Sequence, residues 1–281
     1  MIFNSNNKEL TLVPIGGLGN RMLAITSSIN YCLRKDFNLK ILWFRDWGMG
    51  ANFHDLFNIS DSLNNVKVID AKWYHYIYDR PRKRNLWLPG IIQRCLFDNL
   101  IYEKRIYDNE GSGPIPKWLD ESVNPYLVYW GEIPGYECLF DMLEPSKPNL
   151  QKIDERISCL KKGKTIGVHI RRTDNIVSIK NSPLSLFIEK MEKEIDKDPD
   201  IMFYLASDSE KEKNTLVKHF GERIFTVNNK VERGSVDGIV EALVELYSLA
   251  STIKILGSKG SSYSILASRL KGIPLEIIKI N

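Results

Sequence analysis

Two adjacent arginines at the end of an apolar run are the residues in this chain best suited to hold an anion. The run is Thr165-Ile166-Gly167-Val168-His169-Ile170, and Arg171, Arg172, Thr173 and Asp174 follow it. Each guanidinium offers a planar fork of donors and keeps its charge at any ordinary pH, a match for phosphate oxygens. Charged pairs also terminate many solvated strands, so the pattern gains weight only in company. Two further polar turns supply that company: Ser207-Asp208-Ser209 after the apolar residues 201–206, and Ser258-Lys259-Gly260-Ser261-Ser262 after residues 253–257. Ser261 and Ser262 stand where a helix begins. Hydroxyls and free backbone amides there can face phosphate oxygens, or the serines can be plain N-caps. None of the three polar turns carries an Asp-x-Asp pair, and no His/Cys cluster has metal-ligand spacing. The charge facing a diphosphate must then come from Arg171, Arg172 and amides, and no metal is expected.

These turns need a frame that gathers them. Residues 165–170, 201–206, 224–227 and 253–257 have strand composition, whereas 184–196, 210–220, 236–250 and 263–270 have helical character. Strands alternating with helices predict a parallel, doubly wound sheet in the C-terminal half, and right-handed crossovers bring all three polar turns to one carboxyl edge. The N-terminal half is also α/β, with strands at 10–15, 40–44, 66–69 and 126–130 and a helix over 22–33. Between its first strand and that helix lies Gly16-Gly17-Leu18-Gly19-Asn20-Arg21. Glycines at Gly17 and Gly19 would let amides approach an anionic ligand with help from Asn20 and Arg21, although a tight turn without a ligand fits as well. The three glycines fall short of a full dinucleotide fingerprint.

From residue 72 to 136 the pattern loosens into Trp73-Tyr74-His75-Tyr76 and Arg80-Pro81-Arg82-Lys83-Arg84. Such clusters suit sugars or nucleic acid, but an irregular surface flank is the reading favoured. Pro145 and Pro148 mark a boundary, giving an N-terminal domain over 1–148 and a C-terminal domain over 149–281. The net charge of +4, from 39 basic and 35 acidic residues, supports local anion sites rather than a nucleic-acid-coating surface. Cys32, Cys95, Cys138 and Cys159 are scattered, which predicts reduced thiols and a cytoplasmic protein. No apolar run nears the ~20 residues of a spanning helix, so the protein is expected to be soluble or at most peripheral to a membrane.

His169-Ile170-Arg171-Arg172-Thr173-Asp174 resembles the first peptide motif of the fucosyltransferase superfamily that includes α-1,6-, nodulation and protein O-fucosyltransferases. Tyr204-Leu205-Ala206-Ser207-Asp208 resembles the second motif. Glu245 followed by Ser258-Lys259-Gly260-Ser261-Ser262-Tyr263-Ser264 resembles the third. Gly16-Gly17-Leu18-Gly19-Asn20 is similar to the family's glycine loop, especially that of the α-1,2 branch. The likeness covers about residues 160–270 and is absent from 70 to 140. It implies two Rossmann-like domains facing a cleft, the GT-B arrangement, with GDP-fucose as donor substrate, inversion at the sugar carbon, a glycan acceptor and no metal or other cofactor. Carried over, Arg171 would hold the β-phosphate and Arg172 would support it. His169 would contact the nucleoside, Ser261 and Ser262 would bind the diphosphate, and Asp208, beside Ser207 and Ser258, would line the donor pocket. Glu245 stands where relatives have an aspartate that reads guanine. The general base could be Asp174, Asp208 or Asp46. The rival readings are a glycosyltransferase using another nucleotide sugar, and a non-catalytic glycan- or nucleic-acid-binding module.

Overall fold

Apolar, β-branched runs in both halves become strands of two five-stranded parallel sheets in a computed structural model of the chain, which describes residues 8–46, 48–77, 91–102, 106, 114–172, 176–227 and 232–280. Asp174 and the Arg80–Arg84 run lie outside the described residues. The chain divides into two units, Met1–Ser146 with Arg233–Ile239, and Lys147–Glu232 with Val240–Asn281. A single boundary near 148 is therefore only part of the division, because residues 233–239 return to the first unit. The Gly50 amide donates to the Arg233 carbonyl at 2.9 Å, and a Cβ on Gly50 would lie 2.2 Å from the Gly234 oxygen.

In the first unit, β1 (Glu9–Pro14) leads through the glycine turn into α1 (Leu18–Lys35), and β2 (Asn38–Trp43) follows. Further strands are β3 (Phe57–Ile59), β4 (Val66–Asp70), β5 (Asn99–Ile101), β6 (Pro125–Tyr129) and β7 (Leu143–Pro145). The sheet order is β4-β2-β1-β6-β5, all parallel, and β3 pairs with β7 in an antiparallel ribbon. Val13, Leu42, Phe44, Tyr126 and Val128 form one core on this sheet. Helix α1 ends at Asp36, whose positive φ of 55° gives a left-handed cap behind Arg34 and Lys35, cations that suit a helix C-terminus.

In the second unit α2 (Lys147–Ser158) precedes β8 (Thr165–Ile170), α3 (Leu184–Lys197), β9 (Met202–Ser207), α4 (Glu210–Phe220) and β10 (Ile224–Thr226). Then come α5 (Val236–Ala250), which belongs to this unit from Val240 onward, β11 (Ile255–Ser258), α6 (Ser262–Lys271) and β12 (Leu275–Ile278). The order is β10-β9-β8-β11-β12, again all parallel. All six residues of β8 are buried, as a central strand covered on both faces requires. Ile166, Val168, Phe187, Met191, Phe203, Leu205 and Leu256 pack together there, each buried side chain contributing roughly 1.5–3 kcal/mol. Gly167 admits Leu249 and Thr252 close against β8, since a Cβ would sit 2.9 Å from the Thr252 hydroxyl. Among the described residues no helix is long and apolar enough to cross a membrane.

Candidate functional site

Strand order in the second unit reverses between β8 and β11: β9 and β10 continue to one side, and the chain then crosses back to lay β11 and β12 on the other. Loops leaving adjacent strands in opposite directions open a crevice at their carboxyl ends. Arg171 and Arg172 leave β8 at that point, Asp208 leaves β9, and the serine turn leaves β11.

The turn is built by close approach. A Cβ on Gly257 would lie 2.7 Å from the Ser264 side chain, so only glycine lets α6 come this near β11. As a result the Ser264 hydroxyl reaches His169 Nδ1 at 2.8 Å, and Ser261 Oγ lies 3.3 Å from the same nitrogen. Ser261 occupies the N-cap position of α6 without capping it, its hydroxyl being turned inward to the histidine. Ser262 is exposed in the first helical turn, where backbone amides have no intrahelical partner. Ser258 is fully buried: its hydroxyl accepts the Arg171 amide at 3.2 Å and donates to the His169 carbonyl at 3.4 Å. Ser207 is likewise internal, donating to the Ile170 carbonyl at 2.8 Å. Thus Ser207 and Ser258 hold the strand ends, while Ser261 and Ser262 stand at the helix mouth.

The two arginines part company. Arg171 Nη1 lies 3.2 Å from Asp208 Oδ2, with both side chains about one-fifth exposed. Asp208 Oδ1 accepts the Arg172 amide at 2.7 Å, so one carboxylate orients the first guanidinium and pins the backbone of the second. The Arg172 side chain turns into the protein, donating to Glu212 Oε1 at 2.9 Å, the Arg171 carbonyl at 3.0 Å and the Ser182 carbonyl at 2.9 Å. Neighbouring side chains on an extended segment point to opposite sides, which accounts for the split.

His169 is held neutral: burial pushes its pKa down to about 4, the Arg171 charge adds to the fall, and Asp208 opposes it. Its ring lies 5.0 Å from that of Tyr263 at an interplanar angle of 36°. The Tyr263 hydroxyl donates to the Ala242 carbonyl on α5, one helical turn before Glu245. Loss of hydration pushes the Glu245 carboxyl up to about 7; Glu241 and Asp208 add to the rise, and Lys213 and Arg156 oppose it. Arg156 is itself paired with Glu241, Nη2 to Oε2 at 3.1 Å. Glu245 thus joins His169, Tyr263 and Asp208 in one neighbourhood. Sequence reasoning did not single out Ser182, Glu212 or Lys213, and it included Ser264 in the third motif without giving it a role.

The glycine loop of the first unit is a tight turn with an open side. Gly16 has a φ of +91° and is backed by the Asn20 side chain, whereas a Cβ on Gly17 would meet nothing within 4 Å. Gly17 takes the N-cap position of α1, and Gly19 and Asn20 form its first turn. Arg21 corrects the expectation. Fully buried, it donates to the Gly16 carbonyl at 3.1 Å, the Phe44 carbonyl at 2.7 Å and Asp46 at 3.1 Å, and it lies 4.5 Å over the Trp43 ring. It ties the glycine turn to the end of β2. Asp46 also accepts the Gly48 amide at 2.7 Å, the bonding of a structural carboxylate. Trp73 and Tyr74 are exposed on a 3-10 turn after β4. Among the described residues no group of three or more His, Cys, Asp or Glu side chains is gathered to hold a metal.

Two α/β units, each with a five-stranded parallel sheet, define the fold class as the GT-B type. Solved fucosyltransferases share it. NodZ α-1,6-fucosyltransferase co-crystallized with GDP matches with a TM-score of 0.65 at 19% identity over 94% of this chain and 92% of its own. POFUT1 in complex with GDP-fucose matches at 0.57 and 14% identity over 98% of both chains. A point mutant of Arabidopsis thaliana FUT1 in complex with GDP matches at 0.60 and 15% identity, over 96% of this chain and 70% of its own. At these identities the likeness is one of fold. No protein-family model and no curated protein matches the chain.

Proposed function

We propose that the chain is an inverting, metal-independent glycosyltransferase that moves fucose from GDP-fucose to a glycan hydroxyl. The observation that carries this reading is the Arg171 guanidinium, fixed by Asp208 beside the open start of α6 at the β8/β11 crevice. Departure of GDP from the anomeric carbon builds negative charge on the β-phosphate. Preoriented guanidinium and amide donors stabilise that charge more in the transition state than in the ground state. Arg171 takes that role, with the first amides of α6 and the Ser262 hydroxyl on the diphosphate. Arg172 supports it from behind through Glu212 and Ser182. Neutral His169 and Tyr263 face the nucleoside, and ionised Glu245 offers two acceptors for the N1 and N2 protons of guanine, a pair that adenine lacks. Asp208 orients Arg171. Inversion corresponds to attack of the acceptor oxygen on the face opposite the leaving GDP. Like-folded fucosyltransferases crystallized with GDP or GDP-fucose support the choice of donor.

The test is GDP release from GDP-fucose in excess chelator, for wild type and for Arg171→Lys. Full wild-type activity is expected. The lysine keeps the charge but loses the planar fork, so turnover should fall by roughly two to three orders of magnitude, the ~3–4 kcal/mol of one preorganised donor. Restoration by Mn²⁺ of activity lost to the chelator would overturn metal independence. Protection against melting by UDP or ADP rather than GDP would point to another nucleotide sugar.

A further inference from the structure

Ser182 is fully buried just ahead of α3, and its hydroxyl is used twice: it accepts the Lys259 amide at 2.9 Å and donates to the Ile278 carbonyl. Lys259 lies in the serine turn after β11, and Ile278 ends β12 directly opposite Ser258 in the ladder. The Ser182 backbone carbonyl accepts Arg172 Nη2 at 2.9 Å. Arg172 in turn reaches Glu212 on α4, and its amide is held by Asp208. One residue thus joins the ends of β11 and β12 through its hydroxyl and the loop after β8 through its carbonyl. The neighbouring Asn181 repeats the contact on a smaller scale, its carbonyl accepting the Ile280 amide at 2.8 Å and its side chain the Lys259 ammonium at 3.3 Å.

Without the hydroxyl, the half-buried Lys259 N–H and the buried Ile278 C=O both lose this contact, and the turn that begins at Lys259 loses its inner anchor. We infer that Ser182 is a positioning residue for diphosphate binding, setting the pose of the Ser258–Ser262 turn relative to Arg171. The inference rests on the proposed diphosphate site but not on the identity of the base or the sugar. A purely structural serine would affect melting and leave the balance between diphosphate and nucleoside affinity unchanged. A positioning serine shifts that balance.

The experiment measures GDP, UDP, inorganic pyrophosphate and guanosine binding to wild type, Ser182→Ala and Ser182→Cys. Ser182→Ala is expected to weaken GDP and pyrophosphate by roughly tenfold, the worth of about one hydrogen bond, with guanosine affinity changed less than twofold. The thiol, a weak donor and acceptor of similar size, should give a smaller loss of the same kind, and it carries the test if the alanine variant does not fold. Equal losses for GDP and guanosine, or unchanged diphosphate affinity in a folded variant, would overturn the inference, as would a wild type that binds no diphosphate. A wild type that prefers UDP to GDP refutes the GDP donor and leaves the Ser182 comparison readable through UDP and pyrophosphate.

Discussion

At the scale of single residues, Arg171 and Arg172 are alike in sequence and opposite in use. One guanidinium stands beside Asp208 at the crevice, and the other is consumed by Glu212 and two carbonyls. Two arginines at a strand end read as a candidate anion site, and strand alternation already puts Arg172 on the opposite face, braced by a carboxylate; that Glu212 and the Ser182 carbonyl are its partners was not legible, because it depends on where α4 and Ser182 lie in space. Arg21 shows the same limit, since a basic residue after a glycine turn reads as a ligand contact until the carbonyls of Gly16 and Phe44 are seen to claim it. Glu245 yields a pH prediction. Its carboxyl is raised from 4.5 to about 7, so the folded protein holds a proton there that the unfolded chain has released. Stability from this group is therefore present below pH 4.5 and lost as pH rises through about 7. His169, lowered from 6.5 to about 4, works the other way, its contribution being lost as pH falls through that range. Reading guanine needs the carboxylate. GDP affinity of the wild type should rise with pH through about 7, approaching tenfold per unit on the acid side, and titration calorimetry should show Glu245→Gln to be weaker and flat. A pH slope that survives in the glutamine variant would remove Glu245 from the base site.

At the scale of elements, close approach made by glycine decides where the serines go. Gly257→Ala would set a Cβ 2.7 Å from Ser264, pushing α6 away and breaking the Ser264–His169 contact. Overpacking of this kind costs about 1–3 kcal/mol, so the variant should melt several degrees lower and bind GDP more weakly. Gly17→Ala is the control: its Cβ meets nothing within 4 Å, its φ is −75°, and its melting temperature should match wild type closely. Identical melting of the two variants would contradict this account. Strands β8, β9 and β11 were legible because each is an apolar run punctuated by polar residues. β5 and β12 were not singled out, since three or four residues at a sheet edge carry too little periodicity to stand out from loops. Ser182 was hidden for the same reason: its partner Ile278 belongs to that unnoticed edge strand.

At the scale of the whole molecule, the two sheets are wound differently after a similar start. In each, the first long strand is central and the next strands of the sheet build outward to one edge. The first unit then places β5 at the far edge before β6 fills the gap beside β1, whereas the second sets β11 beside β8 before adding β12. The halves are therefore not copies of one topology. Residues 233–239 add a further asymmetry, since the first unit takes them from beyond β10. A fragment of residues 1–146 lacks the Arg233 carbonyl that accepts the Gly50 amide. Hydrogen exchange at Gly50 should be much faster in that fragment than in the full chain, with β1 and β2 amides still protected; equal protection at Gly50 would count against this membership. The returning segment also bears on how the protein is made. A ribosome finishes the stretch up to Ser146 long before it delivers Arg233, so the first unit waits, with the backbone around Gly50 uncovered, while β8, β9 and β10 are synthesised. Neither unit is complete before the other is largely built, and a message cut short anywhere between them yields no finished half.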